Sequence, residues 1–357
     1  MKKLEIFLKN ILLKILLSFN KPGASLPLPE IGPNSRVLFI RLNRIGDALV
    51  TTPLLKYISE KCKCKTDILA DRKNSFIFNY TSNKHDIILY KKGLREFFKL
   101  ISQINNNKYD VIVDLHDDIS TTVSFILALS KSPYKFGLTK GNEQLYTHTV
   151  QRLAPDKYHV VNRILEISKL FNLVPPAETN IDFVLSEEAK NYAKDFISKH
   201  NLKRFKVGIN ISAGSSARFW GVERFKKITE YFSAFDADIL ILTAPTDIRA
   251  AEIISNEKYP VYFSEKFEKF CALISELDFL FSPDTSIIHI ASAFRIPLFG
   301  IYVKYNTNDI IWYPVASKYE VAVTEEPNFE NLDFNEVRDK LKPFFEYLYY
   351  EETNTAL

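Results

Sequence analysis

From residue 36 onward, short unbroken apolar runs alternate with longer segments whose apolar positions recur every three or four residues. The first pattern belongs to strands buried on both faces, the second to amphipathic helices lying over them. Val37–Leu42, Thr66–Ala70, Asp86–Tyr90 and Asp110–Leu115 read as strands. Helices are expected over about Ala48–Lys61, Leu94–Asn105, Ser120–Leu129 and Val161–Phe171. Residues 131–160 are less regular, and Leu173-Val174-Pro175-Pro176-Ala177 breaks the rhythm, which marks a domain boundary there. A second block then alternates strands Lys206–Ile211, Asp238–Leu242, Val261–Phe263, Phe279–Ser282 and Leu298–Ile301 with helices, and Leu298–Ile301 is expected to be the last strand. This rhythm predicts an α/β protein of two Rossmann-like domains in tandem, with mostly parallel sheets, right-handed crossovers and a cleft between them. The expected division is a helix and linker over residues 1–30, domains over 31–176 and 177–330, and a C-terminal helix over 331–357. Pro343 is expected to kink or break that helix, which is expected to pack back on the first domain.

Residues 1–21 carry a different pattern. Leu4, Leu8, Ile11, Ile15 and Phe19 fall on one helical stripe, and Lys3, Asn10, Lys14 and Lys21 lie elsewhere. No run approaches the roughly 20 apolar residues of a membrane-spanning helix, and Lys14 interrupts the core a signal peptide needs. The segment reads either as a helix lying in a membrane interface or as one packed on the protein's own surface. The proline-rich linker Lys21–Pro29 that sets it off favours the interface. The length of 357 residues agrees with two domains. A net charge of +4, from 47 basic and 43 acidic residues, is too small to point to nucleic acid. Cys62, Cys64 and Cys271 form neither a disulfide framework nor a zinc spacing, so they read as free thiols in a reducing compartment.

Three stretches carry candidate chemistry. In Arg36–Pro53 a buried strand runs into a polar turn with Arg41, Arg44, Gly46 and Asp47. Ligands of open α/β sheets bind at such carboxyl ends. Asp47 reads either as a helix N-cap or as a functional carboxylate. In Phe281–Gly300 a strand ends in Asp284-Thr285-Ser286 and a helix begins at once, with His289 one turn on. Amides and hydroxyls at that helix start suit an anion, although Asp284 alone also reads as a cap and His289 alone as a core histidine. In the loop Ser212–Trp220, Gly214, Ser215 and Ser216 offer amides and hydroxyls, and Arg218 a planar cation suited to phosphate; a surface loop is the plainer alternative. Dinucleotide-binding and P-loop motifs are absent, and no metal-binding motif is found. His116-Asp117-Asp118 closes another strand and reads mostly as solvated.

Together these residues resemble glycosyltransferase family 9, the heptosyltransferases of lipopolysaccharide core assembly. The resemblance rests on Arg41-x-x-x-x-Gly46-Asp47-x-x-x-x-Thr52-Pro53 paired with Asp284-Thr285-Ser286-x-x-His289-x-Ala291-x-Ala293-x-x-x-Pro297-x-x-Gly300, and on Arg218-Phe219-Trp220. It implies a GT-B fold with two Rossmann-like domains facing across a cleft. It also implies inverting transfer of a heptose or related sugar from an ADP-sugar to a lipid-linked or other surface-glycan acceptor, without cofactor or required metal. By the same resemblance Asp47 is the general base. Asp284, Thr285, Ser286 and His289 match the segment that holds the donor; Gly214, Ser215, Ser216, Arg218 and Thr243 are expected to join them, and Arg41, Arg44 and His116 are expected to meet the acceptor. Arg41 and Arg44 equally suit a role in keeping Asp47 ionised. Arg218 stands where the family usually has lysine, and Ser286 where it usually has glycine, which leaves the donor's identity open. The implied location is cytoplasmic, peripheral on the inner face of the bacterial inner membrane, with residues 1–21 on the membrane. Two other readings stand beside this one: a non-catalytic nucleotide-sugar-binding protein, and a GT-B sugar-nucleotide epimerase or hydrolase.

Overall fold

The computed structural model describes residues 11–18 and 26–355. The chain divides between Phe183 and Val184 into two units. Each unit holds one six-stranded sheet, and every recorded strand pairing is parallel. The flanks of the amphipathic segment, residues 1–10 and 19–25, lie outside the described residues. Residues 11–18 are helical, and Leu16 and Leu17 rest on the first unit's core.

The first sheet contains β1 (Arg36–Arg41), β2 (Lys65–Asp71), β3 (Asp86–Tyr90), β4 (Val111–Asp114), β5 (Tyr134–Leu138) and β6 (His148–Val150), in the order β3-β2-β1-β4-β5-β6. Val37, Leu38, Phe39 and Ile40 of β1 have no exposed surface, as expected of a central strand covered on both faces. The chain winds outward from β1 to β3 on one side and from β4 to β6 on the other. The connections leaving β1 and β4 therefore part at the centre of the sheet, where a crevice opens at the carboxyl edge. β5 and β6 fall in the stretch that shows little pattern in sequence. The expected single helix after β1 is two helices, Ile45–Leu49 and Thr52–Cys62, because Pro53 starts the second at its first turn.

The second sheet contains β7 (Phe205–Asn210), β8 (Ala237–Leu242), β9 (Val261–Tyr262), β10 (Phe279–Pro283), β11 (Leu298–Val303) and β12 (Tyr319–Thr324), ordered β12-β11-β10-β7-β8-β9. Its switch point lies between β7 and β10. β11 is not the last strand, since β12 pairs along its whole length. β12 is an edge strand with only Ala322 fully buried, so it lacks the apolar run that marks the others.

The C-terminal helix spans Phe334–Thr355 and runs through Pro343. Val337, Leu341, Phe345 and Leu348 sink into the second unit's core beside Phe232 and Phe279. Burying four such side chains contributes roughly 1.5–3 kcal/mol each. That outweighs the cost of about 3 kcal/mol for a proline inside a helix, so the helix continues where the sequence predicts a break.

Candidate active-site residues in the two units

At the carboxyl edge of β1, Arg41 is buried to 1% exposure and folds back over the turn it precedes. Its Nε donates to the Asp47 backbone oxygen at 2.9 Å, and its Nη2 to Asp47 Oδ1 at 2.7 Å. Nη1 donates to the Leu115 carbonyl at 2.8 Å, at the end of β4. Burial pulls the Arg41 guanidinium below its ordinary pKa, and Asp47, then Asp114, oppose that shift. The N-cap reading of Asp47 does not hold. The cap of Ile45–Leu49 is Arg44, with no side-chain cap bond, and Asp47 sits inside the first turn. Its side chain is one-fifth exposed, and no hydrogen bond to Oδ2 is found among the described residues. One oxygen is thus fixed by Arg41, and the other carries no hydrogen bond among the described residues. Arg44 is exposed at the lip of the same turn. Asn43 just before it takes a φ of +96°, which an asparagine tolerates better than most residues.

His116 lies differently from its expected place on the acceptor side. It has no exposed surface, its Nε2 accepts from Leu42 N–H at 3.3 Å, and its Nδ1 pairs with Asp114 Oδ1 at 2.7 Å. Asp114 is the hub of this network. Its Oδ1 also accepts the His116 backbone N–H at 2.9 Å, and its Oδ2 takes Lys140 Nζ at 2.9 Å and Tyr146 O–H at 2.8 Å. Burial by itself would raise the Asp114 pKa, but Lys140 and then His116 hold the carboxyl far below the usual carboxylate range. Beside it, Asp117 takes a two-pronged contact from Arg152 and a third from Arg163. Lys140 and Tyr146 come from the irregular stretch and carried no signal in sequence; they hold Asp114 and, through Lys140, the His116 carbonyl.

In the second unit the loops after β7 and β10 are stitched together by Asn210. Its Nδ2 donates to the Ser212 carbonyl at 3.1 Å and to Ser282 Oγ at 2.9 Å, and it reaches Thr285 Oγ1 at 3.5 Å. Thr285 caps the helix Ser286–Ala293 by accepting from Ile287 N–H. Arg218 lies across this edge and pairs with Asp284 Oδ2 at 2.9 Å. Gly214 has a φ of +66°, the left-handed region that favours glycine, and Ser215 and Ser216 beyond it are exposed. Gly214, Ser215, Ser216, Arg218, Asp284, Thr285 and Ser286 therefore gather along one strand edge. His289 is 4% exposed, and burial pushes its pKa down to about 4, so the imidazole is neutral at neutral pH. No hydrogen bond to its ring is found among the described residues, and Trp312 lies 6.3 Å away, centroid to centroid.

Thr243 does not join the open edge. It is 1% exposed, and its hydroxyl meets Ser212 Oγ at 3.2 Å and the Ala244 carbonyl at 3.1 Å. Ser212 also donates to Asp247 Oδ2 at 2.6 Å and accepts from Ala244 N–H. Thr243 and Ser212 thus lock the loops after β7 and β8 together. Asn210, missed in sequence, had one signal: a polar residue directly after the apolar run Val207–Ile209.

The family model described as glycosyltransferase family 9 (heptosyltransferase) matches residues 97–341. A protein of Escherichia coli K12 provisionally named lipopolysaccharide heptosyltransferase 4 is 24% identical over 308 residues, covering 84% of each chain. The lipopolysaccharide core heptosyltransferase OpsX of Haemophilus influenzae is 20% identical, covering 79% of this chain and 82% of its own. Among solved structures, a glycosyltransferase family 9 protein of Veillonella parvula superposes with a TM-score of 0.75 at 18% identity, covering 91% of this chain and 99% of that one. The Escherichia coli heptosyltransferase WaaC with ADP gives 0.68 at 16% identity, over 88% and 99%. At such identities the structural likeness speaks for the fold.

Proposed function

Because this chain belongs to glycosyltransferase family 9, the heptosyltransferases, we propose that it moves a heptose or related sugar from an ADP-sugar to a lipopolysaccharide-core-type acceptor, with inversion and with Asp47 as general base. The observation that carries this reading is the grip of Arg41 on Asp47. An acceptor hydroxyl ionises far above neutral pH, so a fixed base must take its proton as it attacks. Arg41 holds Oδ1 and the backbone of Asp47, which leaves Oδ2 as the accepting oxygen. Arg41 is then a positioning residue, and acceptor anions fall to the exposed Arg44.

The second unit supplies the donor side. Charge grows on the leaving diphosphate and is met by preorganised donors: Arg218, the hydroxyls of Ser215 and Ser216, the amides at the start of Ser286–Ala293, and the neutral N–H of His289. Arg218 pairs with Asp284 at 2.9 Å, so the donor diphosphate exchanges for a carboxylate already in place. The ADP in the related WaaC structure supports an adenosine diphosphate leaving group. With a guanidinium and a helix start at the phosphates, transfer is proposed to need no divalent metal and to persist in EDTA. The enzyme is proposed to work at the cytoplasmic face of the inner membrane.

A mass-spectrometric screen of ADP-, UDP- and GDP-sugars, alone and with core acceptors, tests the reading. It predicts ADP release that depends on acceptor, with a product heavier by one sugar. Donor consumption without acceptor would favour an epimerase or hydrolase, and binding without turnover a non-catalytic binder.

A further inference from the structure

The first unit carries an apolar surface that the transfer chemistry leaves unused. The helix Leu94–Asn106 buries Leu100, Ile101 and Ile104 and turns Phe97 onto the same core. Its first turns do the opposite: Leu94 is 81% exposed and Phe98, four residues on, is 61% exposed. Residues so spaced stand one above the other, so the pair forms a ridge. Lys91, Lys92, Arg95 and Lys99 surround it, all exposed, and the single acid of the stretch, Glu96, is paired with Lys99 at 2.9 Å. The helix of residues 11–18 seats Leu16 and Leu17 on that same core cluster and leaves Ile11, Leu12, Ile15 and Lys14 exposed.

We propose that the Leu94–Phe98 ridge, together with the helix of residues 11–18, docks on an anionic lipid bilayer. Two observations select that occupant. Leucine and phenylalanine tips left in water are the side chains that enter an acyl boundary, and a ring of lysine and arginine around them matches anionic headgroups. A second copy of the chain would set cations against cations, and an acidic protein surface would leave the apolar tips unmatched. The ridge extends the membrane contact beyond the N-terminal segment that sequence points to, onto the folded unit that carries Asp47. Lipid binding at this ridge is independent of the donor's identity, and only the turnover readout below rests on the transfer reading.

The test is flotation of the full chain with phosphatidylglycerol-containing vesicles and with pure phosphatidylcholine vesicles. The parent chain is expected to bind the anionic vesicles, and binding should weaken as salt rises. Leu94→Ser/Phe98→Ser is expected to lower that partition by about 100-fold, from the apolar area lost. Its Tm should be unchanged, and so should its turnover on a soluble deacylated acceptor. Lys91→Gln/Lys92→Gln/Arg95→Gln is expected to abolish the preference for anionic vesicles. Equal flotation of the Leu94→Ser/Phe98→Ser variant and the parent would overturn the proposal. So would a parent that binds neither vesicle, or a parent dimer that the Leu94→Ser/Phe98→Ser change dissolves.

Discussion

Replacing Arg41 by lysine separates a residue that positions the base from one that binds substrate. Lysine keeps the charge but has no fork, so it can remake one of the three bonds Arg41 sends to the Asp47 carbonyl, Asp47 Oδ1 and the Leu115 carbonyl. Arg41 is buried, so two acceptors lose their partner away from water. Each such loss costs roughly 1–3 kcal/mol, and the sum of about 2–6 kcal/mol should lower the Tm of the first unit by roughly 5–20 °C. Asp47 is then held by one contact instead of two, and a carboxylate loosened by about 1 Å loses roughly 100-fold in rate. Steady-state kinetics at saturating donor give the deciding split. The account predicts a fall in kcat of about 100-fold with acceptor KM little changed. A raised acceptor KM at constant kcat would refute it and would return Arg41 to the acceptor-binding role expected from sequence.

Two further outcomes follow from the buried titratable groups. Burial holds the His289 pKa at about 4 against an ordinary 6.5. The unfolded chain therefore takes up a proton at higher pH than the folded one, and this contribution to stability is complete above about pH 6.5 and lost as pH falls toward 4. The lowered pKa corresponds to about 3 kcal/mol. Urea unfolding across that range should show the decline, and His289→Gln should flatten it; an unchanged slope would contradict the burial argument. Asp114→Asn should cost about 3–5 kcal/mol in thermal melts by stranding the buried Lys140 ammonium. Adding Lys140→Met should recover part of that loss, whereas simply additive losses would show that the pair is not coupled.

What sequence disclosed and what it hid follow from how each feature is encoded. Val37–Ile40 and Phe279–Phe281 announce themselves because a strand buried on both faces must be apolar at every position. β5 and the edge strands β6 and β12 face solvent in part and carry no such run. The turn motifs at Asp47 and Asp284 were legible because residue type and spacing are local. Burial of long-range partners was not. His116 and Thr243 look like ordinary strand-end polar residues, and only Asp114, Lys140 and Tyr146 in one unit, and Ser212 in the other, account for their withdrawal from the surface. Arg41 was ambiguous for the same reason: its role depends on Leu115, 74 positions away.

Asp47→Asn bears most directly on the claim that Asp47 is the base. The amide oxygen can still accept from Arg41 Nη2, so the turn keeps its shape while its proton acceptor is lost. The variant should bind ADP in titration calorimetry as the parent does, and transfer sugar about 10²- to 10⁴-fold more slowly. Intact ADP binding with unchanged turnover would contradict the assignment of Asp47 as the base.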